Sequence, residues 1–213
     1  MMAPGTCATD VDMAALMVRV IERCRDRLAE QEAYLCELDC AIGDGDHGTN
    51  MRRGWEALTA ERTALARLPL PEACVAAGTI LVMTIGGAAG PLYGTLLMEF
   101  GKGLAAAGTA PDYPAVFRQA VSAVARRGRC SPGEKTLLDV LDPLSDAVGR
   151  QTPLPSLAES IQGFAETTMD MKAMRGRASF LGERSRGHID PGAASCAMLG
   201  AVVCHELAAM GAA

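Results

Sequence analysis

Apolar side chains recur along this chain at steps of three and four residues, over stretches long enough to form helices. In residues 11–28, Met13, Leu16, Met17, Val20, Ile21, Cys24 and Leu28 fall on one face, and Thr9 or Asp10 stands before them as a cap. The same spacing predicts helices over 72–84, 92–106, 113–127, 136–148, 157–174 and 193–210, with a shorter one over about 50–65. The breakers GDGDHG, LPLP, GGAAGP, AAGTAPDYP, CSPGE and TPLP separate them. Each is short, and only GRASFLGERSRGHIDPG is long. Alternating strand patterns bounded by turn pairs are lacking, and the aromatic content of 4% is low for a β protein. The expected fold class is therefore all-α, an antiparallel barrel or bundle of about eight helices, with residues 1–213 as a single domain. Alternate loops of such a bundle fall at the same end. The segments near 45 and 88, at 128–137 and at 176–192 are thus expected to share one rim.

Composition narrows the partners. With 213 residues, 49% hydrophobic and 21% charged, the chain can bury one substantial core. Its 20 basic and 25 acidic side chains give a net charge of −5, without the basic field that non-specific binding to nucleic acid needs. The N-terminal apolar residues are interrupted by Asp12, Arg19, Glu22 and Arg23, unlike a signal peptide, and no uninterrupted apolar run reaches the ~20 residues of a membrane span. A cytoplasmic protein with no membrane partner is expected. The eight cysteines include no CxxC and read as buried free thiols rather than disulfides. Cys36 and Cys40 stand one helical turn apart, but no second pair at zinc spacing accompanies them.

The chemistry concentrates in LDCAIGDGDHGTNMRRG, residues 38–54, which sets Asp39, Asp44 and Asp46 within eight residues. Carboxylates ~5 Å apart at an effective dielectric of about 20 repel by about 3 kcal/mol per pair, so a positive partner must offset them. An EF-hand starting at Asp44 fails, because Gly48 takes an acidic position and Trp55 stands where a bidentate glutamate belongs. Magnesium fits better. It takes few protein carboxylates and completes its shell with water and phosphate oxygens, so two Mg2+ on this triad point to a nucleotide. Gly43, Gly45 and Gly48 permit close backbone approach, while His47, Thr49 and Asn50 add polar groups for phosphate or metal-bound water.

Three further segments complete the picture. GGAAGPLYGT, residues 86–95, resembles a phosphate cradle at a helix start, although its small residues equally suit close helix packing. GEKT, residues 133–136, is no Walker loop, since Glu134 separates the glycine from Lys135 and no strand precedes it; Glu134 is expected to open a helix. Arg175, Arg177, Arg184 and Arg186 lie in a stretch too glycine-rich for core, and an arginine there can stabilise a polyphosphate. Asp190 before Pro191 reads as the cap of the last helix, and His205 as structural.

LDCAIGDGDHGTNMRRG, GGAAGPLYGT, PGEKTLLDVLDP and GRASFLGERSRGHIDPGA, in this order and at these separations, resemble the L subunit of dihydroxyacetone kinase over nearly the whole chain. The resemblance implies an eight-helix barrel holding ADP or ATP and two Mg2+ at one end, with Asp39, Asp44 and Asp46 as metal ligands. It implies nucleotide contacts at His47, Gly48, Thr49, Asn50, Ala88, Ala89, Gly128, Leu137, Arg177, Asp190, Pro191 and Gly192, with Arg177 also meeting transition-state charge. Ala89 departs from the family, which often has a phosphate-touching serine there, and Leu137 stands where methionine is common. In this family a separate K subunit or domain holds the sugar on a covalently bonded histidine, and no general base is implied on this chain. A histidine at the place of His47 resembles L subunits of the phosphoenolpyruvate-dependent system, whose bound ADP is rephosphorylated by a phosphoryl-donor protein. The implied assembly is a homodimer meeting a K subunit. ATP-dependent action on another short ketose such as erythrulose, and a nucleotide-loaded module that contacts a regulator, are the competing expectations.

Overall fold

The computed structural model describes residues 8–211, with side chains from residue 13 onward. Among these residues are nine α-helices, two 3-10 segments and no strand: α1 (Ala8–Glu30), α2 (Glu32–Ile42), α3 (His47–Leu65), α4 (Leu70–Thr84), α5 (Ala89–Ala107), α6 (Tyr113–Gly128), α7 (Leu138–Gly149), α8 (Leu154–Glu166) and α9 (Pro191–Gly211), with Thr167–Asp170 and Arg177–Ser185 as the 3-10 pieces. Each of α3 to α8 packs on the next, α9 packs on α8, and α1 closes the ring between α9 and α3. Eight helices thus form the expected barrel. Short loops make ring neighbours antiparallel and bury their apolar faces inward, where Leu28, Met51, Leu81, Val124, Val140, Leu157 and Ile161 are at most 1% exposed.

The ninth helix, α2, is not announced by periodicity, because only Leu35, Asp39 and Ile42 of its eleven residues are buried. It follows α1 after the single residue Gln31 and packs against α3 and α9, which brings Asp39 to the end of the barrel. The helix expected over 157–174 stops at Glu166. There the hydroxyls of Thr167 and Thr168 donate to the carbonyls of Phe164 and Ala165, tightening the chain into a 3-10 turn before Met171 extends. Glu134 does not open α7, which begins at Leu138 after Lys135 takes φ +62. The Glu134 carboxylate instead accepts from Ser131 N–H and pairs with Arg175.

Among the described helices α9 alone is long and apolar enough, by length and composition, to cross a membrane. Here it is a core helix. Residues 193–199 are buried in succession, and beyond them Glu206 pairs with Arg19 at 3.2 Å and Arg23 at 3.7 Å. His205, expected to be structural, is exposed on this helix. The seven described cysteines are free thiols, five of them buried, with Cys36 half-buried and Cys40 exposed; Cys7 lies outside the described residues.

Candidate functional site

The acidic turn is built by the end of α2 and the start of α3. Asp39 projects from α2, and its Oδ2 accepts from the backbone N–H groups of Asp46 at 3.0 Å and His47 at 3.1 Å, which locks the turn over it. Gly45, at φ +78, supplies the left-handed step that the reversal needs. One oxygen from each of Asp39, Asp44 and Asp46 lies within 4.8 Å of the others, Asp39 buried and the other two exposed. Arg177 brings a counter-charge, its Nη1 standing 2.8 Å from Asp44 Oδ2. Hard, clustered carboxylate oxygens open to one side match what Mg2+ accepts, so the donor set fits the metal implied by sequence.

A cavity of about 410 Å³ opens beside this turn, within the usual range of small-molecule sites. The four loop regions expected to share a rim all line it: the acidic turn, residues 86–89, the segment from Arg127 to Leu137, and residues 175–178 with 190–192. Three helices, α3, α5 and α9, begin there; Asp39 already accepts from the first N–H of α3, whereas the first turn of α5 has no side-chain cap. The converging N-termini offer positive dipole ends to an anion, and the start of α5 adds N–H groups with no side-chain cap. Gly87, at φ +66, makes the turn that presents the start of α5, with Ala88 and Ala89 at the cavity wall. Ile42, Leu92, Leu137 and Ala178 supply apolar lining, suited to a base or ribose face.

Behind the polar surface runs a buried hydrogen-bond chain. His47 Nε2 meets Ser195 Oγ at 2.9 Å, and Ser195 Oγ meets Tyr93 Oη at 2.8 Å, joining the starts of α3 and α9 to α5. Trp55 packs edge-on against Tyr93, with ring centroids 5.7 Å apart. Burial holds the His47 imidazole below its ordinary value, against the opposing pull of Asp39, Asp46 and the Pro191 backbone. Asp190 caps α9 by accepting from Ala193 N–H at 2.8 Å, and burial pushes its carboxyl up to about 7. Lys135, pushed below the ordinary lysine value by burial, is only 1% exposed.

Of the site residues expected from sequence, Asp39, Asp44, Asp46, His47, Asn50, Ala88, Ala89, Gly128, Leu137, Arg177, Asp190, Pro191 and Gly192 line this one cavity. Gly48 and Thr49 do not. Gly48 faces α2, where a Cβ would stand 2.2 Å from the Glu32 carbonyl oxygen, and Thr49 Oγ1 donates to Glu32 Oε1 at 2.9 Å. Sequence reasoning missed Tyr93, Ser195, Arg127 and Lys135. Tyr93 lies inside GGAAGPLYGT and Arg127 stands beside Gly128, so both could have been found by proximity, whereas nothing local marks Ser195.

A family model described as the DAK2 domain matches residues 41–204. The chain is 39% identical to the PEP-dependent dihydroxyacetone kinase 1, ADP-binding subunit DhaL, of Listeria innocua, over 82% of this chain and 87% of that one. It is 35% identical to the corresponding PEP-dependent ADP-binding subunit of Escherichia coli, over 84% and 90% of the two chains. Its fold is similar to that of the crystallised dihydroxyacetone kinase of C. freundii in complex with AMP-PNP and Mg2+, with a TM-score of 0.71 and 22% identity. The match covers 98% of this chain but 35% of that longer one.

Proposed function

The chain belongs to the DAK2-domain family, that of the L subunits of dihydroxyacetone kinase, phosphotransferases with an alcohol group as acceptor, and from that premise we propose how its barrel end works. The cavity holds ADP or ATP with two Mg2+, and the γ-phosphoryl passes to dihydroxyacetone carried by a separate K subunit. A phosphoryl-donor protein of the phosphotransferase system restores the nucleotide. The observation that carries this reading is the convergence of the acidic triad, three helix starts and Arg177 on one cavity.

Asp39, Asp44 and Asp46 hold the metal, and Asp39 is kept in place by the two N–H groups it accepts. Bound Mg2+ neutralises charge on the phosphate oxygens. The N–H groups at the start of α5 face the phosphates, and because Ala89 has no hydroxyl, the contact there comes from its backbone. Leu137 packs against the base. Arg177, 70% exposed and extended to Asp44, lies where it can follow charge from the bound nucleotide onto the group in flight. The acceptor hydroxyl loses its proton on the partner, so the proposal needs no general base on this chain. The protein acts in the cytoplasm as a homodimer.

The test is reconstitution. This chain is combined with a K subunit, the phosphotransferase donor proteins and labelled phosphoenolpyruvate. Label is expected in dihydroxyacetone phosphate; label that never leaves the nucleotide contradicts the proposal.

A further inference from the structure

Among the described residues, the largest fully buried side chain is a lysine that the proposed chemistry does not use. Lys135 stands in the loop before α7, at φ +62, a backbone region that side-chain-bearing residues seldom adopt. Its ammonium does not point into the cavity as a solvated charge. It donates to the carbonyl of Thr168 at 2.6 Å and to that of His188. These two carbonyls flank the segment 169–187 on either side, so one cation ties together the two strands of its neck.

Other bonds close the same neck. Gly187 N–H donates to Met169 O at 2.8 Å, and Asp190 N–H donates to Thr168 Oγ1 at 2.9 Å. Beyond the neck the segment folds back on itself, Ala173 N–H donating to Ser185 Oγ at 2.9 Å. Met174 N–H donates to Glu134 O at 3.1 Å, and Arg175 forks onto the Glu134 carboxylate at 2.8 and 3.1 Å. The loop containing Glu134 and Lys135 thus grips the strap from both sides. At its far end the strap rests Ala173, Ala178 and Leu181 on Ile42 of α2 and reaches Asp44 with Arg177. Apart from that small apolar contact, polar bonds fix where Arg177 stands.

We infer that Lys135 is a positioning residue whose buried ammonium clamps the neck of the strap 171–187 and thereby sets Arg177 over the acidic turn. A buried charge is retained only where strong acceptors repay its desolvation, and here each acceptor is the backbone of one strap root. Removing the ammonium leaves two buried carbonyls without their donor, a penalty that opening the neck to water relieves.

The measurement is amide hydrogen exchange of the intact chain, wild type against Lys135→Met and Lys135→Gln, without nucleotide. Protection of the Ala173, Met174 and Gly187 amides is expected to fall by at least about ten-fold, the factor of a single charge-assisted hydrogen bond where two are lost, while α4, α5 and α9 keep theirs. Unchanged strap protection overturns the inference. So does a uniform loss across the barrel or failure of both variants to fold, because Lys135 would then be a general stabiliser. The link to Arg177 rests on the proposed nucleotide site and is read separately, by calorimetry of Mg2+·ADP binding. Lys135→Met and Arg177→Ala are expected to weaken it by the same factor, with no further loss in the double variant. Additive losses overturn the positioning role. A wild-type chain that binds no ADP overturns the proposed function while the exchange experiment still decides the clamp.

Discussion

At the scale of single residues, the site is a balance of charge. Three carboxylates within 4.8 Å are held together by backbone N–H groups at Asp39 and by one arginine at Asp44, so the turn carries an acidic excess that a divalent cation offsets. Replacing Asp44 by Asn removes a proposed metal ligand and also relieves repulsion. Calorimetry should show Mg2+-dependent ADP affinity falling by at least about ten- to a hundred-fold, the loss that even outer-shell changes cause at metal sites, with unchanged helical circular dichroism. The converse change is Ala89→Ser. It adds a hydroxyl at the first residue of α5, beside the proposed phosphate position, and should tighten ADP binding by up to about ten-fold. Unaltered affinity in that variant places the phosphates away from the start of α5.

At the scale of elements, the site depends on how tightly α2 and α3 approach. Gly48 allows it, since a Cβ there meets the Glu32 carbonyl at 2.2 Å, a backbone atom that cannot swing aside. Gly48→Ala should therefore destabilise the fold despite the roughly 1 kcal/mol that alanine gains over glycine in a helix. Forced separation of packed helices costs about 1–3 kcal/mol, so urea unfolding should show a lower midpoint. Gly48 thus has a packing role between α2 and α3. The ring helices were legible because each buries one apolar stripe, and the rim loops because glycine and proline punctuate them. Helix α2 was not, because its three buried positions make too little pattern and one of them is an aspartate. The bonds from Lys135 to residues 33 and 53 positions away leave no local trace, and neither does the meeting of His47 with Ser195 across 148 residues.

At the scale of the whole molecule, antiparallel closure explains why chemistry gathers at one end. Every second junction of the ring falls there, so α3, α5, α7 and α9 all enter the barrel from the rim that carries the aspartates and Arg177. Among the described residues, the opposite end is connected by the short loops at 66–69, 108–112 and 150–153. A nucleotide held at such a rim keeps its terminal phosphate near solvent, where a sugar-bearing partner and a phosphoryl donor can each reach it in turn. If the acidic turn holds divalent cations for a bound diphosphate, as proposed, nucleotide retention must depend on them. The decisive measurement loads the purified chain with ADP in Mg2+, desalts it, and quantifies retained nucleotide before and after EDTA. Stoichiometric ADP that survives desalting and is released by the chelator is expected; a chain that retains none, or retains it equally in EDTA, rules out the proposed site.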